Sequence, residues 1–424
     1  MSVLSYLEKL LNGVDIQWKT IGEVTLRTSN IKWREATRSY RYVDLTSVDI
    51  ETKKITETTE VTANNAPSRA QKLIEENDVI FATTRPTQQR FCLIEGEYSD
   101  EVASTGFCVL RAKQDEVLPK WIWHWISTSY FKKYVEENQS GSAYPAISDA
   151  KVKECYIPVP CPENPEKSLT IQAEIVRILD KFTALTAELT AELTAELNMR
   201  KKQYNYYRDQ LLSFEEGEVE WKTLGEISRK ISSGGTPKTG VTEYYDGTIP
   251  WLRTQEVDFR EIWDTEIKIT EEGLKTSSAK WIPKDCIIIA MYGATVGKIG
   301  INKIPMTTNQ ACANIQLDEE IVHYRYVFHF LCSQYAYIKS LGTGSQTNIN
   351  AQIVKNIKIP VPFAENPEKS LNEQLRIVNI LDKFDTLTSS ITEGLPREIE
   401  LRQKQYEYYR DLLFSFPKHE TTSN

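Results

Sequence analysis

The 424-residue chain has no apolar run approaching the ~20 residues that a membrane-spanning helix needs, which excludes a helical membrane protein. It has little histidine, four in all, and at positions 124, 323, 329 and 419 they form no ligand spacing. Its seven cysteines include no Cys-x-x-Cys pair, so the pattern suits reduced thiols rather than a disulfide frame or a zinc site. The first residues, Met1 to Lys9, lack a basic stretch followed by an apolar one, so the expected location is the cytoplasm. Phosphate-binding glycine loops are missing as well. The nearest approach, Gly293-Ala294-Thr295-Val296-Gly297-Lys298-Ile299, is one residue short of a P-loop and has isoleucine where a hydroxyl should meet Mg²⁺. No glycine-rich strand-to-helix turn offers a nucleotide or methyl-donor site, so no cofactor is expected in this chain.

Positive charge is also scarce overall. With 51 basic and 59 acidic residues the net charge is −8, which by itself argues against a nucleic-acid binder. Any such role must rest on local distribution.

What the sequence does contain is a duplication. Residues 157–214 match 359–416 without a gap, and 35 of the 58 positions are identical. The shared words are Ile-Pro-Val-Pro, Glu-Asn-Pro-Glu-Lys-Ser-Leu, Ile-Leu-Asp-Lys-Phe and Lys-Gln-Tyr-x-Tyr-Tyr-Arg-Asp. The segments before each copy match only faintly, through Trp18-Lys19-Thr20 and Trp221-Lys222-Thr223, and through His124 and His329 in two aromatic stretches. The expected order is a variable domain at 1–157, a conserved segment at 158–216, a second variable domain at 217–358, a second conserved segment at 359–416, and a tail at 417–424. The variable domains alternate short β-like runs (79–81, 107–110, 287–289, 313–317) with loops and one aromatic helix each, which reads as α+β with mixed domains. On those helices Trp121, Trp123 and Trp125 read as core.

The conserved segments read as long helices that pack antiparallel, coiled-coil fashion, with a pseudo-two-fold relation between the halves. Ser168 and Ser370 stand as N-caps, and Ser370 with Glu373 suggests a capping box. Apolar residues recur at three- and four-residue steps, through Leu185, Leu189, Leu193 and Leu197 in the first copy. Gly394-Leu395-Pro396 should interrupt the second helix. Residues 186–197 are three tandem Thr-Ala-Glu-Leu units. One unit of helix advances ~6 Å and turns a net ~40°, while one base pair of B-DNA advances ~3.4 Å and turns ~34°. The repeat reads either as a neutral slippage repeat on a solvated helix or as a spacer that could re-phase two DNA-reading domains.

Candidate contacts follow from local charge and from side chains that discriminate base edges. Arg27, Lys32, Arg34, Arg38 and Arg41 face a single acid, Glu35, in the first domain, and Arg85, Gln88, Gln89 and Arg90 form a second set. In the second domain Arg229, Lys230, Thr236 and Lys238 flank the Ser232–Pro237 stretch, which reads as a flexible loop. Arg253, Gln255, Tyr292, Lys298, Asn309, Gln310, Gln346 and Asn348 complete the candidates. No catalytic set and no metal site are found. Asp258 with Glu266 and Lys268 is the nearest thing to a metal-nuclease cluster.

At this point the sequence resembles the DNA-specificity subunit of type I restriction-modification systems. The likeness covers essentially the whole chain, and it is carried by the duplicated segments, Asn372-Glu373-Gln374, Gly234-Gly235-Thr236-Pro237 with Ile249-Pro250-Trp251, Thr308-Asn309-Gln310 and Gly344-Ser345-Gln346. The Thr-Ala-Glu-Leu units resemble the type IC subfamily. The first copy, at Ile171-Gln172-Ala173-Glu174, departs from the pattern in lacking the Glu-Gln pair. The resemblance implies two target-recognition domains, each reading half of a split asymmetric site in double-stranded DNA. Two methyltransferase subunits and two motor-nuclease subunits would be the protein partners. Adenine methylation and ATP-driven cleavage, with S-adenosylmethionine, ATP and Mg, would belong to those partners. Two other readings compete: a helical scaffold without DNA specificity, and a stand-alone metal-dependent nuclease.

Overall fold

In the computed structural model, which describes residues 11, 13–142, 144–215, 217–342, 348–389 and 394–416, the variable segments fold as α+β domains built on one plan. The chain divides into two compact units, Met1–Ala191 with Glu400–Asn424, and Glu192–Ile399. These units cut across the linear segments of sequence, because each takes half of both conserved segments.

The strands of the first unit among the described residues are β1 Ile16–Thr20, β2 Thr25–Leu26, β3 Tyr40–Val43, β4 Thr59–Val61, β5 Ala70–Ile74, β6 Val79–Ala82, β7 Phe91–Leu93, β8 Glu101–Ser104, β9 Phe107–Ala112 and β10 Tyr156–Pro160. They form sheets of order β2-β9-β6-β7 and β4-β3-β8-β5, plus the pair β1-β10. Its short helices are α1 Pro119–Ile126, α2 Ser129–Asn138 and α3 Asp149–Glu154. The apolar run of β6 is buried at every position, as in a strand covered on both faces. Helix α1 starts at proline, which lacks the amide a first turn leaves unbonded. It buries Trp121 and Trp125 in one core with Phe81, Leu110 and Phe131, and Trp123 packs partly buried on the edge of Phe91.

The second unit continues with α4 Pro165–Leu211, one 47-residue helix that begins in the first unit. Its strands are β11 Val219–Thr223, β12 Ser228–Ser233, β13 Tyr245–Leu252, β14 Arg260–Ile262, β15 Lys268–Ile269, β16 Ile287–Ala290, β17 Ile299–Asn302, β18 Thr307–Thr308, β19 Cys312–Leu317 and β20 Lys358–Pro362. The sheets are β12-β19-β16-β17-β14, β15-β13-β18 and β11-β20. The helices are α5 Glu271–Lys275, α6 Tyr324–Ser333, α7 Tyr335–Ser340 and α8 Ala351–Lys355, and the second conserved segment gives α9 Pro367–Ser389 and α10 Leu395–Leu413.

The duplication is visible atom by atom. The Ile-Pro-Val-Pro strands pair antiparallel with their tryptophan strands, Trp18 opposite Pro158 and Trp221 opposite Pro360. Trp121 Nε1 donates to the Pro158 carbonyl at 3.0 Å, and the Tyr326 hydroxyl donates to Pro360 at 2.9 Å. Within each unit the conserved helices run antiparallel where they touch. Phe182 meets Tyr409 and Thr183 meets Tyr406 in the first unit, and Tyr207 stacks on Phe384 in the second.

Three expectations about the helices need correction or refinement. The caps are Asn164 and Asn366, whose side chains accept the amides of Lys167 and Lys369 at 3.0 and 3.1 Å. Proline follows each as the first helical residue, which pushes the start four residues ahead of Ser168 and Ser370. Glu373 closes no capping box, because it lies inside the helix and pairs with Arg376 at 2.7 Å. The apolar stripe does not pack evenly along the helix: buried residues of α4 stop at Leu179, Leu185 is exposed, and Leu189, Leu193 and Leu197 are half-buried. The second segment does consist of two helices, with Pro396 in the first turn of α10.

Candidate nucleic-acid interface

In the second unit five loops converge. The Asn309 amide bonds the Leu252 carbonyl at 2.9 Å, Gly235 bonds Thr308 at 2.9 Å, Met291 bonds Ala311 at 2.8 Å and Ile349 bonds Met291 at 3.0 Å. Thr295 adds a side-chain bond to the Thr254 carbonyl at 2.9 Å. Thr236, Arg253, Gln255, Tyr292, Lys298, Asn309, Gln310 and Asn348 therefore gather in one region, although they span more than a hundred residues of sequence. The glycine stretch is a strap rather than a flexible loop. A Cβ on Gly234 would stand 1.9 Å from the Thr308 carbonyl, and one on Gly235 2.3 Å from the Ala279 amide, so only glycine lets these backbones meet. Thr236 bonds Gln310 across that contact.

Several candidate cations of the second unit are paired with acids. Arg253 pairs with Glu266 at 2.8 Å, Lys298 with Asp258 at 2.7 Å, and Arg229 with Asp318 at 3.1 Å. Lys268 goes to Asp264 at 3.1 Å, so the three members of the nuclease-like set each have a different partner. No group of His, Cys, Asp or Glu among the described residues is placed to hold a metal ion. Lys230 and Lys238 are exposed and, among the described residues, without a carboxylate partner, while Tyr292 presents its ring at the surface. Gln346 lies outside the described residues.

In the first unit the hairpin Thr83–Arg90 between β6 and β7 takes the corresponding place, and Ile147 bonds Thr83 as Ile349 bonds Met291. Arg85 and Gln88 are exposed. Arg90 points inward, donating to the carbonyls of Leu45 and Val48, so it is a brace and not a free contact. Lys53 donates to the Gln89 carbonyl and lies over the Phe91 ring, and burial pulls its ammonium down to about 8. The run of basic residues between 27 and 41 is not a bare positive patch. Lys32 pairs with the local Glu35 at 3.4 Å, and folding supplies acids distant in sequence, Glu101 to Arg38 at 3.2 Å and Glu97 to Arg41 at 3.4 Å. Arg27 and Arg34 stay exposed with no carboxylate partner among the described residues.

Sequence reasoning missed the polar residues that hold each domain on its helix. Buried Gln172 accepts the Leu118 amide at 2.9 Å and donates to the Glu116 carbonyl at 2.9 Å. Gln374 does the same with His323 at 2.8 Å and Ile321 at 3.1 Å. The first copy thus keeps the glutamine of the Glu-Gln pair and lacks only the glutamate. The signal was present, since Gln172 and Gln374 are identical positions of the duplication. His124 and His329 donate through Nε2 to Asp180 and Asp382 at 2.9 and 2.7 Å. Burial opposes ionisation of Asp382, but hydrogen bonds from His329 and Arg325 outweigh it and hold the carboxyl below its usual range. These histidines are packed junction residues.

The family described as type I restriction modification DNA specificity domain matches residues 15–199 and again 216–401. The chain is similar to the EcoR124I/EcoR124II specificity subunit of Escherichia coli, 44% identical over 438 residues and covering 100% of both chains. It is 32% identical to the EcoprrI specificity subunit of the same organism, with 93% of each covered. Among solved structures, a chain from a study of assembly and conformational transition in the type I R-M system superposes with a TM-score of 0.69 at 22% identity, covering 94% of this chain and 97% of that one. The HsdS subunit from Thermoanaerobacter tengcongensis gives a TM-score of 0.52 at 21% identity, over 94% and 96%. The last two likenesses concern the fold.

Proposed function

The chain belongs to the DNA-specificity family of type I restriction-modification systems, and from that membership we propose that each of its two units reads one half of a split, asymmetric site in double-stranded DNA. It is a DNA-recognition subunit, and catalysis is done by partner subunits. The observation that carries the bipartite reading is the duplication itself. One specificity domain matches both halves of the chain, while the loops built on the shared plan carry different side chains. A repeated scaffold with diverged loops is suited to two different base sequences. The exposed Arg85, Gln88, Tyr292 and Gln310 are candidates for base edges, and Arg27, Arg34, Lys230 and Lys238 for phosphates. Net acidity does not oppose this, because partners can supply phosphate contacts and this chain needs only local basic loops.

The protein partners in this reading are two methyltransferase subunits and two motor-nuclease subunits, working in the cytoplasm. S-adenosylmethionine, ATP and Mg act in those partners, and the chain itself carries no cofactor. The Thr-Ala-Glu-Leu units act as a spacer of the type IC kind and set the gap between half-sites. The test is methylation-site mapping of the chain co-expressed with its cognate methyltransferase. Two fixed half-sites separated by a constant gap support the reading, and methylation without a bipartite preference overturns it.

A further inference from the structure

The hairpins Thr83–Arg90 and Met291–Lys298 are the same length and share two left-handed positions. The third and seventh residues of each are left-handed. In the second unit these are glycines, Gly293 at φ +82° and Gly297 at +81°. In the first they are Arg85 at +48° and Gln89 at +52°. Glycine adopts this conformation freely, whereas a residue with a Cβ is strained in it. The first unit therefore keeps two side chains at positions where its own duplicate shows that the turn needs none.

Packing accounts for Gln89, which is half-buried and whose carbonyl receives the Lys53 ammonium. Packing does not account for Arg85. Its side chain is exposed and has no carboxylate partner among the described residues, unlike Arg38, Arg41, Arg229 and Arg253. Its one ring contact among the described residues is with Tyr144, itself 70% exposed, at 5.3 Å from guanidinium carbon to ring centroid. In the duplicate, a Cβ added to Gly293 meets nothing within 4 Å, so this loop position projects away from the domain. An aromatic neighbour orients the planar fork while leaving its donors unbonded.

We propose that Arg85 is a specificity-determining residue of the first unit and takes the edge of a guanine in the half-site that this unit reads. The proposal rests on the bipartite reading above. A guanidinium matches guanine O6 and N7 with two parallel hydrogen bonds, and a bond pair of that kind needs a held orientation. A phosphate contact needs only charge, which the unstrained Arg27 and Arg34 already offer at the surface.

The experiment maps methylated sites for the full chain with its methyltransferase, comparing the natural chain with Arg85→Gly and Arg85→Lys. Glycine is the residue that the duplicate uses at the equivalent left-handed position, so Arg85→Gly relieves strain and should melt no lower than the natural chain. The expected result is relaxation at one G·C pair of one half-site, with discrimination there falling roughly ten- to a hundredfold. The other half-site and the gap should not change. Arg85→Lys keeps the charge and loses the fork, so it should relax the same pair. An unchanged half-site in Arg85→Gly overturns the proposal. So does uniform weakening over all sequences that lysine restores, which marks a phosphate contact. If the natural chain shows no bipartite site, the bipartite reading itself fails and the proposal falls with it.

Discussion

Gln172 accepts the backbone amide of Leu118 at 2.9 Å, and that bond ties the conserved helix to the residue just before the aromatic helix of the first domain. Leu118 precedes Pro119 at the start of α1, and the acceptor for its own amide comes from a residue 54 positions away. Gln374 and His323 repeat the arrangement in the second unit at 2.8 Å. A buried amide or carbonyl stripped of its partner costs about 1–3 kcal/mol. Gln374→Ala should therefore lower stability by about 2 kcal/mol or more in denaturant titration. Amide exchange should accelerate first over residues 321–333, and equal acceleration throughout the chain would show that the glutamine does not hold that junction.

His124 predicts a dependence on pH. Burial pulls it below its ordinary value in spite of the bond to Asp180, and among the described residues its buried Nδ1 has no hydrogen-bond partner. A group whose value is lower in the folded than in the unfolded chain stabilises the fold fully above its unfolded value, near 6.5, and that contribution is lost as pH falls below it. Exchange protection over residues 119–126 should drop on going from about pH 7.5 to about 5.5, and His124→Gln should flatten the drop. An identical acid loss in the variant would assign the effect to another group.

Gly234→Ala should be severe, because its Cβ would collide with the Thr308 carbonyl and a backbone strap cannot yield as a side-chain end can. Overpacking of this kind costs about 1–3 kcal/mol, occasionally more. The second unit should lose stability, and sequence discrimination should fall in one half-site only. Wild-type melting and specificity would mean that the strap does not position Thr236 and Gln310.

Much of this was readable in the sequence, and what was not has a physical cause. The duplication, the buried β6 and β16 runs and the interruption near Pro396 follow from periodicity and from proline's missing donor, which act locally. The caps were misplaced because serine and asparagine both stood in range, and the proline after Asn164 and Asn366 decides between them. The basic stretch from Arg27 to Arg41 looked like a free patch because Glu97 and Glu101 reach it only through the sheet. Convergence of Thr236, Arg253, Tyr292 and Gln310 is likewise a product of strand order, which composition does not encode. The glycines at 234 and 235 looked flexible, since sequence alone does not say whether a glycine is free or squeezed.

Charge pairing separates cations that should matter for DNA affinity from those that should not. Lys230 and Lys238 are exposed with no carboxylate partner among the described residues, whereas Arg229 is held by Asp318 at 3.1 Å. If each free lysine meets one phosphate, Lys230→Gln and Lys238→Gln should each reduce the log–log salt slope of DNA binding by about 1. Arg229→Gln should leave the slope nearly unchanged. A larger effect from Arg229 than from the two lysines would reverse this assignment.

Deletion of Thr186–Leu189 tests the ruler. The four residues lie in the uninterrupted helix α4, past its last buried residue, Leu179, so removing them leaves the buried contacts of both units in place. The helix shortens by ~6 Å and its phase changes by ~40°, against ~3.4 Å and ~34° for one base pair. The rotations nearly agree, so a shift of about one or two base pairs keeps each unit facing its groove. Site mapping should return both half-sites unaltered with a gap shorter by that amount. An unchanged gap would show that the repeat sets no distance, and altered half-sites would show that the deletion disturbed the units themselves.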